Sequence, residues 1–180
     1  MEDSDLNKYC EQGLASGATR VKRIHPGSVV TAPWVRLKCQ FGCQKYNRGY
    51  CCPPHTPTPE QTRAILDSYN RAILFHRELP YEKNRGKTSH QYIEKLVQLE
   101  TDIFKDGYYK AFVLTAGPCH ACEICVKNQG DPCKFGRTAR PSMEACGIDV
   151  YQTARANGFM INTLREITET QNWYCLMLVD

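Results

Sequence analysis

The sequence predicts a compact mixed sheet flanked by helices, of the α/β or α+β class, that carries two cysteine-rich metal-binding loops. Two observations support this class. Short β-prone runs alternate with capped helical segments along the chain, and most of the eleven cysteines fall in two groups, at residues 39–52 and 119–133. A chain of 180 residues has the size of one ordinary domain, so we expect a single metal-binding domain over residues 1–180.

The N-terminal third contains turn-prone, strand and helix signals in that order. Residues 1–20 are polar and are expected to form turns. The runs Val21–Ile24 and Val29–Leu37 are β-prone and are broken by prolines, so we expect strands or strand edges that lead into the first cysteine group. A capping box with proline at the first helical position, Thr58-Pro59-Glu60-Gln61, predicts the start of a helix.

The middle of the chain predicts a strand, a loop, a long helix and a second strand. Residues 72–75 indicate a buried strand, and the polar residues 81–87 indicate a loop. The clearest helix opens at Thr88 and ends at Gly107. Residues 110–115 then predict a central strand that leads into the second cysteine group. The apolar stripe of the helix consists of Tyr92, Leu96, Leu99 and Ile103.

The C-terminal part predicts two helices and a final strand. Pro141, Ser142 and Gly147 mark the ends of a short helix, and a second capping box at residues 149–152 opens a helix that runs to Gly158. Residues 173–179 are apolar and β-prone, which predicts a strand.

The second cysteine group has the spacing of an iron-sulfur site. Cys119, Cys122 and Cys125 follow one another at intervals of three residues, and Cys133 follows within a short loop. This Cys-x2-Cys-x2-Cys run is typical of bacterial ferredoxins, where soft thiolates bind iron. Cys133 lies further along the chain than the fourth cysteine of a ferredoxin run and is not followed by proline. Whether Cys133 completes this cluster or reaches another one is therefore open. Zinc bound by four thiolates is the alternative, although zinc ligands usually form two separated pairs.

The first cysteine group offers a second set of ligands. Adjacent cysteines point in different directions in most backbones, so we expect only one of Cys51 and Cys52 to be a primary ligand. We favour Cys52 because Pro53 follows it, as a proline follows the last cysteine of ferredoxin runs. His55 either completes a zinc site with three cysteines or is a loop residue. The predicted ligands are Cys39, Cys43 and Cys52, with Cys51 and His55 as possible additional ligands and the fourth ligand unassigned.

Composition and charge exclude several classes of protein. The acidic, polar start of the chain lacks the features of a secretory signal, so we expect a cytoplasmic protein. No apolar run is long enough for a membrane span. The formal net charge of +4 comes without a Lys/Arg run, which argues against nucleic-acid binding. Eleven cysteines in a reducing compartment favour metal binding over disulfides.

With both cysteine groups in view, the chain resembles the family of predicted metal-binding proteins known as domain of unknown function 2284. The resemblance covers most of residues 35–160. It implies metal or iron-sulfur binding in anaerobic bacteria or archaea and no particular reaction. The doubled Cys51-Cys52 and the additional Cys146 leave the assignment of ligands open. The matching blocks are Leu37–Cys43, Cys52-Pro53-Pro54, Ala116–Cys125, Arg140–Ala145 and Gly147–Val150.

The sequence is compatible with three functions. The first is a protein with one or two 4Fe-4S clusters that exchanges electrons with a redox partner protein, and the sequence shows no acid/base or nucleophile constellation that contradicts it. The second is an enzyme in which Cys39, Cys43 and Cys52 hold a cluster with an open iron site, with Glu144 or Asp149 nearby. The third is a zinc-stabilised structural or interaction module, in which metal binding contributes the folding energy. Whether the protein is an enzyme is left open.

Overall fold

The computed structural model of the protein describes residues 3–82, 85–119 and 121–180 and has a four-stranded sheet with helices on both faces. The strands lie in the order β1-β2-β4-β3, so the C-terminal strand is in the interior of the sheet. Short 3-10 turns connect several elements. The helices are α1 (Asn7–Ser16), α2 (Pro33–Gly42), α3 (Pro59–Leu66), α4 (Arg85–Lys105) and α5 (Val150–Ala156), and the strands are β1 (Arg20–Ile24), β2 (Ala72–Leu79), β3 (Phe112–Leu114) and β4 (Gln171–Leu178).

The predicted class is confirmed, with one detail changed. All three pairings of these strands are antiparallel, whereas a mixed sheet was expected. The reason is the position of β4, which pairs with both β2 and β3 and separates them. β2 and β3 therefore run parallel to each other on either side of β4 and are joined by α4, as in a split βαβ unit. β3, which was expected to be a central strand, lies at the edge of the sheet.

The core lies on both faces of β2 and β4. Successive residues of a strand point to opposite faces, so Ile73 and Phe75 pack with α1 and α4 while Leu74 packs with α3, α5 and the segment around Ile148. Leu176 in β4 is fully buried. Two buried layers therefore enclose the central strands, and this explains the unbroken apolar runs at residues 72–75 of β2 and 173–178 of β4.

Several predicted elements are confirmed. The Thr58–Gln61 capping box is present with both of its hydrogen bonds, and the Asp149 side chain accepts the Gln152 N–H at the start of α5. The long predicted helix corresponds to α4, which begins three residues earlier than expected, at Arg85. The predicted loop at 81–87 therefore includes the first turn of α4, and its residues 83–84 lie outside the described residues.

Two predictions near the N-terminus are wrong. Residues 34–37 lie in α2 rather than in a strand, because Ala32 is extended and Pro33 occupies the first helical turn, where its missing N–H costs nothing. Residues 7–16, expected to form turns, make α1. This helix lacks a side-chain N-cap, and the burial of Tyr9 and neighbouring Leu6 against α4 and the sheet supports it instead.

None of the helices in the described part of the chain is long and apolar enough to cross a membrane.

Candidate metal centre

The second cysteine loop leaves the sheet and returns to it at the same point. Thr115, directly after β3, donates its N–H to Pro141 O at 2.9 Å, and its own carbonyl accepts the Met143 N–H at 2.9 Å. These bonds form a short parallel bridge between Thr115 and Ser142. Cys119, Cys122, Cys125 and Cys133 therefore lie on one loop with a closed base at the edge of the sheet.

The first cysteine loop is fixed to the turn at residues 144–146. Arg36 of α2 donates from Nη1 to Pro57 O at 2.7 Å and to Ala145 O at 2.9 Å. The buried Thr62 hydroxyl donates to Cys146 O at 2.6 Å. The loop between α2 and α3 thus has both of its ends anchored on the same turn.

Side-chain hydrogen bonds join the cysteine loops to each other. Tyr50 Oη donates to Asp131 O at 2.7 Å, and Lys127 Nζ donates to Asn47 O at 2.6 Å. Between these contacts lies a cavity of 270 Å³, here called the thiol cavity. Six cysteines from both loops line it: Cys51, Cys52, Cys119, Cys122, Cys125 and Cys133.

Cys51 and Cys119 are in direct contact across the thiol cavity. The Cys51 thiol donates a hydrogen bond to Cys119, and this bond, with the backbone N–H groups of Ala121 and Arg140, lowers the pKa of Cys119 to about 6 although burial opposes it. The same contact raises the pKa of Cys51, and burial adds to the increase. Cys119 is therefore the sulfur that this part of the cavity favours as a thiolate, which is the form that binds metals.

A buried ion pair supports the loop behind Cys119. Arg140 donates from Nε to Glu100 Oε2 at 2.7 Å and also pairs with Glu100 Oε1 through Nη2. Glu100 Oε2 additionally accepts the Val113 N–H at 2.7 Å. The pair therefore connects α4, β3 and the end of the second cysteine loop. Arg140 is partly buried in this pair, whereas Arg137 on the same loop is exposed.

Cys39 and Cys43 line a neighbouring cavity of 450 Å³ together with Glu144, here called the Glu144 cavity. Cys39 Sγ lies 4.0 Å from Glu144 O. Within the described residues, Glu144 Oε2 is inaccessible to solvent and has no hydrogen-bond partner, and burial raises the pKa of this carboxyl. Cys52 connects the two cavities: burial and the charges of nearby Cys43, Cys39, Cys119 and Cys125 raise its pKa.

The structure divides the predicted ligands differently from the sequence. Cys52 lines the thiol cavity with the second group, as does Cys51, which was only a possible additional ligand. His55 is exposed, its Nε2 lies 3.0 Å from Asn47 Oδ1, and it is not among the residues that line the thiol cavity. Asp149 is buried as the N-cap of α5. Cys146 and Cys175 are buried in the core, and Cys10, within α1, is partly buried against it.

Sequence reasoning did not find the pairing of Cys51 with Cys119 or that of Glu100 with Arg140. The first joins two loops that are distant in the chain, and no spacing rule describes it. The second left a signal, because Glu100 lies on the apolar face of α4 between Leu96 and Ile103. A charged residue in a buried stripe indicates a buried partner.

The donor set of the thiol cavity consists of cysteine thiols, which as thiolates bind zinc or iron-sulfur clusters. In the described residues, no three His, Cys, Asp or Glu side chains lie close enough together, as placed, to hold one metal ion. The six cysteines instead surround a cavity of 270 Å³, and thiolates are the ligands that iron-sulfur clusters use.

Residues 22–179 match the model of a family described as Predicted metal-binding protein (DUF2284). The chain belongs to this family. The matched residues of this predicted metal-binding protein include both cysteine loops, Glu144 and the strands β2, β3 and β4. No curated protein and no solved structure matches the chain significantly.

Proposed function

We propose that this metal-binding protein holds a 4Fe-4S cluster in the thiol cavity and exchanges electrons with a redox partner protein. The observation that carries the proposal is the convergence of six cysteines from two loops on one cavity of 270 Å³. Soft, anionic thiolates in a partly buried pocket bind iron-sulfur clusters, which supply one-electron redox chemistry when bound.

Three of the proposed ligands are Cys119, Cys122 and Cys125, because their spacing is that of bacterial ferredoxins. The fourth comes from Cys51, Cys52 or Cys133, all of which line the same cavity. Since Cys51 and Cys52 lie with the second group, the proposal needs one cluster at this place rather than two. A second cluster at Cys39 and Cys43 has less support, because two cysteines line the Glu144 cavity and six line the thiol cavity.

The surroundings of Cys119 would stabilise the negative charge of a thiolate-bound cluster. The backbone N–H groups of Ala121 and Arg140 donate towards Cys119. The Arg140 guanidinium lies within electrostatic range of Cys51. Hydrogen bonds and positive charge near the sulfurs favour the reduced form and raise the reduction potential.

The zinc-stabilised module has weaker support. A structural zinc ion needs four ligands in a small tetrahedron, and no three candidate side chains of the described residues are placed that way. The fold also has two extensive buried layers around β2 and β4, so it does not depend on metal for a core.

The test is reconstitution of anaerobically purified protein with iron and sulfide, followed by visible absorption and electron paramagnetic resonance before and after reduction with dithionite. We expect a broad visible absorption that dithionite bleaches and a paramagnetic signal in the reduced protein. The double variant Cys122→Ser/Cys125→Ser should show neither, while Cys10→Ser, which changes a cysteine away from the cavity, should show both. A protein that takes up zinc but forms no chromophore would contradict the proposal.

A further inference from the structure

The Glu144 cavity has the size and the lining of a small-molecule site. Its volume of 450 Å³ falls within the range of about 300–1,000 Å³ that is usual for ligand pockets. Three aromatic side chains from different elements line it: Trp34 of α2, Tyr151 of α5 and Trp173 of β4. Apolar side chains such as Ile148 and Ile161 complete the wall. Such a lining favours a flat, apolar molecule.

One polar atom in this lining has no partner. Glu144 Oε2 is inaccessible to solvent and, within the described part of the chain, accepts or donates no hydrogen bond. Leaving a buried polar atom unpaired is energetically costly. A ligand that brings a hydrogen-bond donor to this oxygen would remove that cost, and a carboxyl oxygen accepts such a bond.

The charged groups of the lining disfavour ions. Lys38 has its Nζ 5.4 Å from the centre of the Trp34 ring and repels cations at this wall. The Glu144 carboxyl is negative when ionised and would then repel an anion. The remaining polar side chains are amides, among them Asn162 and Asn172, which bind neutral polar groups.

The Glu144 cavity also adjoins the thiol cavity. Trp173 reaches the start of the second cysteine loop, where a Cβ built on Gly117 would lie 3.7 Å from the end of its indole ring. Cys52, which lines the thiol cavity, is within electrostatic range of Cys39 and Cys43 in the lining of the Glu144 cavity. A molecule bound here would therefore lie beside the proposed redox centre.

We infer that the Glu144 cavity binds a small, neutral, planar heteroaromatic molecule whose ring N–H donates to Glu144 Oε2. Glu144 is then a binding residue, with Trp34 and Trp173 as aromatic walls. The claim that the bound molecule exchanges electrons with the cluster rests on the proposed function. The claim that the cavity binds such a molecule rests on the lining of the cavity alone.

The experiment compares indole with indene, which has almost the same shape and lacks only the N–H. Equilibrium dialysis against protein purified and reconstituted without oxygen gives both dissociation constants. We expect indole to bind about five to ten times more tightly, because one buried hydrogen bond contributes about 1 kcal/mol. Equal affinities, or no binding of either compound, would overturn the inference.

Three variants test whether the preference for indole depends on Glu144 and whether both compounds bind in the Glu144 cavity. Glu144→Leu removes the acceptor at similar size and should abolish the preference for indole, whereas Glu144→Gln keeps an acceptor oxygen and should retain it. Gly42→Phe adds a ring to the cavity lining at a position where a Cβ meets no atom within 4 Å, so it should weaken both compounds without disturbing the fold. A preference that survives Glu144→Leu, or binding that Gly42→Phe leaves unchanged, would overturn the inference.

Iron and sulfide measured on the same samples separate the two proposals. Protein that carries the cluster but binds neither compound contradicts the cavity inference alone. Protein that prefers indole but carries no iron contradicts the cluster proposal alone.

Discussion

The sheet core and the thiol cavity are built by different means. β2 and β4 are paired along eight residues and are covered by apolar side chains on both faces. The thiol cavity lies between two loops without regular strands, joined by the Tyr50 and Lys127 hydrogen bonds and lined by six cysteines. The core is packed from apolar side chains alone. The thiol cavity, in contrast, brings together sulfurs that apolar packing does not require to be grouped.

This difference implies that fold and metal site can be disturbed separately. Apolar burial is the dominant favourable term in folding, so core changes should lower the free energy of unfolding. Changes to the cysteines should remove metal and leave most of the fold in place. Glu100 and Arg140 connect the two regions, since they join α4 and β3 to the second cysteine loop. Each of the following changes tests one side of this comparison.

The largest effect is expected from the cysteines of the second group. Single replacements Cys119→Ser, Cys122→Ser and Cys125→Ser should each remove nearly all cluster iron, because each takes away one thiolate ligand. Far-UV circular dichroism should remain close to that of the unchanged protein. Cys10→Ser is the matched control and should keep the full iron content. Full iron in all three single variants would mean that the ligands lie elsewhere.

Breaking the ion pair should affect both regions. Glu100→Gln leaves the guanidinium of Arg140 without a counter-charge in a partly buried place, and loss of one partner of a buried pair costs about 3–5 kcal/mol. Denaturant unfolding measures this loss, and the reduction potential of the cluster should shift in the same variant. Asp67→Asn, which breaks the exposed pair with Arg63, should cost less than about 1 kcal/mol. Similar losses in both variants would show that Glu100 is not a buried anchor.

A core change should act on the fold alone. Leu176→Ala at the centre of β4 removes a fully buried side chain and should lower the free energy of unfolding by about 2–5 kcal/mol. Iron per folded chain should stay unchanged, as measured below the unfolding transition. Leu14→Ala on the exposed side of α1 is the control and should have little effect. Iron loss from folded Leu176→Ala protein would break the separation between core and site.

The smallest effect is expected from the contact between the two cysteine loops. Tyr50→Phe removes the hydrogen bond to Asp131 O, which is worth about 0.5–1.5 kcal/mol. We expect iron to be released to a chelator a few times faster, with the unfolding midpoint almost unchanged. Tyr81→Phe, an exposed tyrosine that does not line the thiol cavity, serves as the control. Equal release rates in the two variants would show that this contact does not hold the loops together.

Local signals allowed much of the fold to be predicted. The capping box of α3, the Asp149 N-cap of α5, the apolar stripe of α4 and the β-prone runs of β2 and β4 depend on residues close in the chain, and each is present. Residues 34–37 were misassigned because their β-branched and aromatic character outweighed Pro33 as a helix start. The placement of β4 between β2 and β3 could not be predicted, since strand order depends on contacts between distant segments.

The candidate site was predictable within each loop and not between loops. The Cys119–Cys125 spacing indicates a ligand run by itself. The assignment of Cys51 and Cys52 to the same cavity requires the Tyr50 and Lys127 contacts, which join residues about 80 positions apart. The Glu144 side chain was named as a neighbour of the first group, but its unpaired oxygen and its aromatic surroundings are visible only in three dimensions.

The most direct test of the central claim is the amount of iron, zinc and acid-labile sulfide per chain in protein purified without oxygen. A single 4Fe-4S cluster in the thiol cavity predicts about four irons and about four sulfides, both lost in Cys122→Ser/Cys125→Ser protein. Zinc without sulfide, or iron that this double variant retains, would contradict the claim.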